Sequence, residues 1–393
     1  MAKQKILIFA SYFLPGFKAG GPIRSIENII SHFENDYDYY IITSDRDLGD
    51  VKPYDSIVTN TWVKYENVNV CYVSRNECSL ILLKHLIDNV EPGVIYFNSF
   101  FDPCFTIKTL ILRRLGKLDK RINILLAPRG EFASGALVLK SWKKKVFLSV
   151  SKIFGLYRNI YWQASSEYEA SDIMKWTGDD SSIIIAPNLA PKLSADSKTI
   201  IDKEIGFLRV VSVARIARNK NLLGALEILK EVKSNIVYDI YGLREDLDYW
   251  KECEEVISLM PPNIEVNYIG QKQNHEIRVA LKQYHLFFMP THGENFGHAI
   301  LEAMSAGLPV LISNLTPWLD LESKGVGWDI PLDKPEKYRE VLELCANMGA
   351  DNFNKLSLVV DAFANEVVND KRVVRLNKEM LNKVFIGMSD NKI

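Results

Sequence analysis

Residues 287–313 read FFMPTHGENFGHAILEAMSAGLPVLIS, and this stretch decides the fold of the second half of the chain. We predict a buried strand that ends at Pro290 and a helix that begins near Gly297. The helix should end before Gly307 and Pro309, because glycine and proline terminate helices. A second apolar run follows at once, so the stretch has the strand–loop–helix–strand order of a parallel sheet.

The same alternation of short apolar runs and amphipathic helical segments extends over the whole chain. It is interrupted at residues 187–206, PNLAPKLSADSKTIIDKEIG, a polar stretch with two prolines where we place an inter-domain hinge. The sequence therefore predicts an α/β protein of two Rossmann-like, doubly wound parallel-sheet domains, residues 1–195 and 205–373, that face a cleft. We expect a terminal helix over about 374–390 to pack back on the first domain.

The composition excludes several classes of protein. Among 393 residues the hydrophobic fraction is 47% and the formal net charge is −1, so no global field draws nucleic acid to the chain. The five cysteines are odd in number and form no C-x-x-C pair, which is typical of reduced thiols in the cytosol. The apolar run near the start is too short for a signal peptide, and no run is long enough to span a membrane. We expect a cytoplasmic protein.

The loop and helix after Pro290 carry the first candidate site. The free N–H groups and the dipole of a helix that begins near Gly297 suit a diphosphate. Glu294 lies in the loop, where a carboxylate can accept hydrogen bonds from sugar hydroxyls. Glu302 lies within the helix among apolar residues, from where it can reach the paired hydroxyls of a ribose. The alternative for Glu302 is a solvated helix residue.

A second cluster, VARIARNKN, follows the first strand of the second domain. Arg215 and Lys220 there can clamp a diphosphate and stabilise the negative charge that develops as it leaves. Ordinary surface charge is the alternative, and Arg218 is the weaker candidate. No metal-binding motif is evident.

Two loops of the first domain offer further candidates. Gly20 and Gly21 precede Pro22 after the first strand, and we expect their backbone to bind an anion or a sugar. Arg129 and Glu131 lie in the loop APRGEF after another strand, where they can line the cleft. Loop residues that only form internal salt bridges are an equal alternative for this pair.

At these residues the sequence resembles the retaining glycosyltransferase family 4, of GT-B fold. Glu294 and Glu302 match the family's E-x7-E pair, Arg215 and Lys220 its R-x4-K pair, and GGP at Gly20 its N-terminal glycine loop. The resemblance covers nearly the whole chain and is stronger in the second domain. The APRGEF pattern is similar to a subgroup found among bacterial enzymes of polysaccharide and O-antigen assembly.

The resemblance implies a role for each group. Glu294 would contact the transferred sugar, Arg215 and Lys220 the diphosphate, and Glu302 the ribose, without metal or cofactor. The remaining donor-binding residues would be Asn295, Phe296, Gly297 and His298, with Gly20 and Gly21. Many members carry a histidine where this chain has Pro128 and Arg129. The leaving phosphate would then accept the acceptor's proton, with Arg129 or Glu131 lining the site.

Residues 138–154, VLKSWKKKVFLSVSKIF, mix lysines with aromatic residues on one predicted helix. This pattern suits an anionic membrane surface, and a cover helix with a solvated lysine face is an equal alternative. A membrane face would fit a lipid-linked acceptor.

The sequence as a whole predicts a metal-independent, retaining hexosyltransferase that moves a sugar from a nucleotide diphosphate sugar to a saccharide or lipid-linked saccharide. We expect this reaction in cell-surface polysaccharide biosynthesis. A nucleotide-sugar epimerase or hydrolase, and a catalytically silent sugar-nucleotide-binding subunit, are the alternatives. Motifs do not identify the sugar, the base, the acceptor or the linkage.

Overall fold

The structure is a computed structural model that describes residues 3–55, 57–132, 141–178, 182–192 and 202–387. The chain divides into two compact units. Unit 1 comprises Met1–Lys192 together with Asp370–Ile393, and unit 2 comprises Leu193–Asn369. The last segment of the chain thus belongs to the unit that holds the first.

The described part of unit 1 contains an eight-stranded sheet of order β3-β4-β2-β1-β5-β6-β7-β8. All neighbours are parallel except β3 and β4. Its strands are β1 (Gln4–Phe9), β2 (Tyr37–Ser44), β3 (Trp62–Tyr65), β4 (Val68–Val73), β5 (Val94–Phe97), β6 (Asn123–Leu126), β7 (Tyr161–Ala164) and β8 (Ile183–Ile185). Its helices are α1 (Gly21–Phe33), α2 (Leu80–Val90), α3 (Lys108–Arg114), α4 (Ser141–Ile153), α5 (Glu167–Thr177) and the C-terminal α12 (Lys371–Ile386), with a π-helical turn at Pro103–Ile107.

Strand β1 explains why this sheet is covered on both faces. Its side chains alternate, so Ile6 and Ile8 enter one apolar core while Leu7 and Phe9 enter the other. The C-terminal helix α12 covers the first of these faces with buried apolar side chains, Met380, Leu381 and Val384.

The described part of unit 2 contains a six-stranded, fully parallel sheet of order β11-β10-β9-β12-β13-β14. Its strands are β9 (Phe207–Val213), β10 (Asn235–Tyr241), β11 (Ile264–Gly270), β12 (Leu286–Met289), β13 (Val310–Ser313) and β14 (Gly327–Ile330). Its helices are α6 (Leu222–Lys230), α7 (Leu247–Ile257), α8 (Asn274–Leu281), α9 (His298–Ser305), α10 (Pro335–Ala346) and α11 (Ala350–Val368), with a 3-10 turn at Arg218–Lys220.

The strand order places a switch point between β9 and β12. From β9 the chain proceeds outward through β10 to β11, and then returns to the other side of β9 for β12, β13 and β14. The loops that follow β9 and β12 therefore leave the sheet in opposite directions. The crevice between such loops, at the carboxyl ends of the strands, is where parallel sheets bind ligands.

Several elements differ from the sequence expectation. The antiparallel strand β3, the edge strand β14 and helices α10 and α11 were not predicted. The chain enters α3 through the π-helical turn Pro103–Ile107. No helix in the part of the chain that the structure describes is long and apolar enough to cross a membrane.

Candidate active site

The two loops at the switch point of unit 2 are fastened to each other through backbone groups. The carbonyl oxygen of Asn219 accepts hydrogen bonds from Thr291 Oγ1 at 2.9 Å and from the His292 N–H at 2.8 Å. Asn221 Nδ2 donates to the Pro290 carbonyl oxygen at 2.8 Å. The loop after β9 and the loop after β12 therefore form one braced surface, which brings the Arg215–Lys220 and Glu294–Glu302 segments together.

Lys220 and Glu294 meet on this surface. Lys220 Nζ lies 2.5 Å from Glu294 Oε1, and each side chain is only 15% exposed. The Glu294 N–H donates to the Leu315 carbonyl oxygen at 3.2 Å, and this hydrogen bond ties the loop to the segment after β13. An ion pair this sheltered is screened by salt less than a surface pair is.

Arg215 meets a carboxylate that the sequence did not suggest. Its Nη1 donates to both carboxylate oxygens of Glu245, at 2.8 and 2.7 Å, and both side chains are 35% exposed. Glu245 follows β10, the neighbour of β9, and the Ile216 N–H donates to the Leu243 carbonyl oxygen at 2.7 Å. Arg218 similarly meets Glu252. Arg215, which was expected to bind a diphosphate, and the weaker candidate Arg218 are thus each paired with a carboxylate.

Gly242 permits this approach of the two loops. Its φ is +148°, and a Cβ atom at this position would lie 1.8 Å from the Ala214 carbonyl oxygen. A side chain here would displace the peptide that leads into Arg215. The glycine is therefore required by a close backbone contact.

Helix α9 begins at His298, after Gly297 in the left-handed region with φ +78°. Trp318 Nε1 donates to the Phe296 carbonyl oxygen at 2.6 Å, which holds the turn that precedes the helix. Glu302 is partly exposed, whereas its neighbours Ile300 and Leu301 are buried. The N-cap residue, Gly297, has no side chain that could accept from the first N–H groups, and the N-terminus of a helix suits an anion.

In unit 1 the glycine loop and Arg129 are connected through Asn98. Gly20, with φ +65°, precedes α1, and Asn98 Nδ2 donates to the Pro22 carbonyl oxygen at 3.1 Å. Asn98 Oδ1 accepts from Arg129 Nε at 2.7 Å. Arg129 also donates to Tyr96 Oη at 2.6 Å and to Asn188 Oδ1. Its guanidinium is thus committed to partners within the unit.

Glu131 lies in the same loop but does not pair with Arg129 in the described contacts. Its carboxylate accepts from Ser99 Oγ at 2.8 Å and from the Phe100 N–H at 2.6 Å. Burial raises the pKa of this carboxyl to about 7, although these hydrogen bonds oppose the rise. Arg129 and Glu131 both hold the loop after β5 through hydrogen bonds to neutral partners, and the described contacts include no salt bridge between them.

Two acidic residues, Glu245 and Glu252, were missed by the sequence analysis. Glu245 and Glu252 meet the basic loop, and the buried Glu169 accepts from the Gly130 N–H at 2.6 Å and from Ser165 Oγ at 2.7 Å. The acidic run after β10 would have been a signal only once β10 was known to lie beside β9. Within the described residues no three His, Cys, Asp or Glu side chains are grouped as a metal site.

Comparison with known proteins finds a match to a family model in the second half of the chain. Residues 198–347 match the family model of the glycosyl transferases group 1. The chain is 24% identical over 181 residues to the putative colanic acid biosynthesis glycosyltransferase WcaL of Escherichia coli K12, covering 44% of each chain. It is 32% identical over 102 residues to the sulfoquinovosyl transferase SQD2 of Arabidopsis thaliana, covering 26% of this chain and 18% of that one. These matches span less than half the length of either relative.

The fold extends the likeness to both units. The crystal structure of Anabaena HepE in complex with UDP and glucose superposes with a TM-score of 0.68, covering 97% of this chain and 99% of that chain at 13% identity. At this identity the likeness concerns the fold, which is that of GT-B glycosyltransferases. The chain therefore has the GT-B fold and carries, over residues 198–347, a domain of the glycosyl transferases group 1 family.

Proposed function

We propose that the chain is a retaining glycosyltransferase that takes a sugar from a nucleotide diphosphate sugar and needs no metal. The acceptor would be a saccharide or a lipid-linked saccharide in cell-surface polysaccharide synthesis, at the cytoplasmic face of the membrane. The observation that carries the proposal is the sheltered Lys220–Glu294 pair at the switch point of unit 2, where the loop after β9 also contains Arg215. The family match over the same residues supports it.

The geometry suits a diphosphate that displaces a carboxylate. Arg215 would exchange Glu245 for phosphate oxygens, and the uncapped start of α9 would donate N–H groups to the same anion. Glu294, held by Lys220, would accept hydrogen bonds from the sugar, and Glu302 from the ribose. Asn295, Phe296, Gly297 and His298 would line the donor between these two carboxylates.

The proposed step is one exchange of bonds at the anomeric carbon. The bond from that carbon to the diphosphate breaks, and its electron pair stays on the phosphate oxygen. A bond to the acceptor oxygen forms on the same face of the sugar. The acceptor's proton passes to the departing phosphate, so no side-chain base is required. Arg215 and Lys220 stabilise the charge that develops on the leaving group.

The donor and acceptor classes are inferred from the relatives. A crystal structure of HepE holds UDP and glucose, and WcaL is named for colanic acid biosynthesis. We propose a nucleoside diphosphate sugar as donor, with UDP-sugars as the first donors to test. Thermal-shift measurements with UDP-, GDP- and ADP-sugars would select the base, because a ligand that binds only the folded protein raises its melting temperature.

The decisive experiment is turnover of the selected donor by pure protein, with and without EDTA. A transferase releases free nucleotide and free sugar slowly in water, and EDTA leaves the rate unchanged. Release of a new sugar nucleotide would instead identify an epimerase, and absence of any turnover a binding subunit. With an acceptor present, the anomeric configuration of the product, measured by NMR, decides between retention and inversion.

A further inference from the structure

Helix α4 of unit 1 presents an apolar stripe to solvent. Trp142, Val146, Val150 and Ile153 lie on it, and Phe154 follows directly; these five side chains are between 45% and 78% exposed. Their spacing is i, i+4, i+8 and i+11, which at about 100° per residue confines the four helical positions to an arc of about 80°. Single exposed apolar residues are ordinary, but a continuous stripe marks an interaction surface.

The opposite side of α4 fastens the helix to unit 1. Phe147 and Leu148 pack against the core that contains Phe100 and Trp162, and Ser151 is buried. Lys144 Nζ lies 5.1 Å from the centroid of the Phe101 ring. The stripe is therefore turned away from the core that the rest of the helix joins.

Charge distinguishes the class of partner. Residues 138–154 contain five lysines and no aspartate or glutamate. One of them, Lys152, is an exposed residue of α4. An apolar stripe on a helix that is rich in lysine and has no acidic residue suits a bilayer interface with anionic headgroups, where apolar side chains enter the acyl boundary and ammonium groups remain with the phosphates. A second copy of the chain would place lysines against lysines.

We propose that α4 docks unit 1 on an anionic membrane surface, with Trp142, Val146, Val150, Ile153 and Phe154 inserted. In the sequence, lysines mixed with aromatic residues suggested a membrane face; the proposal now assigns the binding mainly to the apolar stripe, which adds Val146, Val150 and Ile153. The docking does not depend on the donor chemistry of unit 2, so vesicle binding and sugar transfer can fail separately.

The test is sedimentation of the full chain with vesicles of phosphatidylcholine alone or mixed equally with phosphatidylglycerol. The natural protein should bind the mixed vesicles, and the double variant Trp142→Gln, Ile153→Gln should bind them about tenfold more weakly. Ile81→Gln is the matched control, because Ile81 is an isoleucine on α2 of the same unit and is 84% exposed. The control should bind as the natural protein does, and circular dichroism should show all three folded.

Added salt separates the two contributions. It should weaken binding of the natural protein and of the double variant by a similar factor, because both retain the lysines. Absence of binding by the natural protein, or equal loss in the Ile81 control, would overturn the proposal. So would a dimer of the natural protein, seen by sedimentation velocity without vesicles, that the double variant abolishes. In that case the stripe is an interface between copies.

Discussion

The ion pair between Arg215 and Glu245 determines what substitutions of either residue should do to nucleotide binding and catalysis. Each side chain of this ion pair is 35% exposed, and exposed ion pairs contribute about 0–1 kcal/mol to stability. We expect Glu245→Gln to tighten binding of a nucleoside diphosphate up to about fivefold, because Arg215 no longer has to leave a carboxylate. Arg215→Ala should remove about 2–4 kcal/mol of transition-state stabilisation, measured as kcat/KM.

Glu252→Gln is the matched control for this prediction. It removes one carboxylate from the same surface, but that carboxylate faces Arg218. Calorimetric titration should show tighter nucleotide binding for Glu245→Gln alone. Equal tightening in both variants would mean that total charge, and not the Arg215 pair, controls the affinity.

Glu302 and Glu294 should separate nucleotide binding from sugar binding. Glu302→Ala should weaken binding of the free nucleotide by about 1.5–3 kcal/mol, the usual contribution of hydrogen bonds to a charged group. Glu294→Gln should not weaken free nucleotide binding but should lower the rate of sugar transfer. Titration with nucleotide in the absence of a sugar measures the first effect. Unchanged affinity in Glu302→Ala would refute the ribose role.

Glu131 should make stability depend on pH in an unusual direction. Burial raises the pKa of its carboxyl from 4.5 to about 7, so the folded state binds a proton that the unfolded state has already lost. The free energy of unfolding should therefore fall as pH rises from about 4.5 to about 7, by about 3–4 kcal/mol at most. Glu131→Gln should flatten this decline. Melting temperatures at about pH 5 and about pH 8 check it, and parallel profiles for both proteins would contradict it.

At the scale of elements, the junction between β9 and β10 depends on Gly242. Gly242→Ala should destabilise unit 2 by about 3 kcal/mol, because the Cβ atom and the Ala214 carbonyl oxygen cannot both keep their places. Gly206→Ala is the control that measures only the cost of a positive φ in alanine, because the φ of Gly206 is +84° and nothing lies within 4 Å of its Cβ position. That control should cost about 1 kcal/mol. Urea denaturation measures both, and equal costs would show that the contact is unimportant.

The elements also show what a sequence can and cannot predict. Buried strands such as β1 and β12 were predicted because both faces of a parallel sheet require apolar side chains. The edge strand β14 was missed, since GWDI has no apolar period and becomes a strand only by pairing with β13. The stripe on α4 was missed for a related reason: an i, i+4 apolar pattern ordinarily predicts the face that packs inward.

For the whole molecule, strand order decides which candidate residues meet. The motifs located Arg215, Lys220, Glu294 and Glu302 without any knowledge of order, because each follows a recognisable strand. The partner Glu245 could not be found in this way, since it reaches Arg215 only because β10 lies beside β9. Arg129 was found as a charged loop residue, but its commitment to Tyr96, Asn98 and Asn188 depends on three separate strands meeting at one edge.

The placement of α12 in unit 1 has a consequence for the integrity of the protein. The chain passes between the units twice, after Lys192 and again after Asn369. A single proteolytic cut just after Lys192 leaves a C-terminal fragment that still contributes Met380, Leu381 and Val384 to the core of the other fragment. The two halves, produced together in one cell, should therefore assemble without a covalent link, whereas the fragment that ends at Lys192, produced alone, should expose an uncovered sheet face and aggregate.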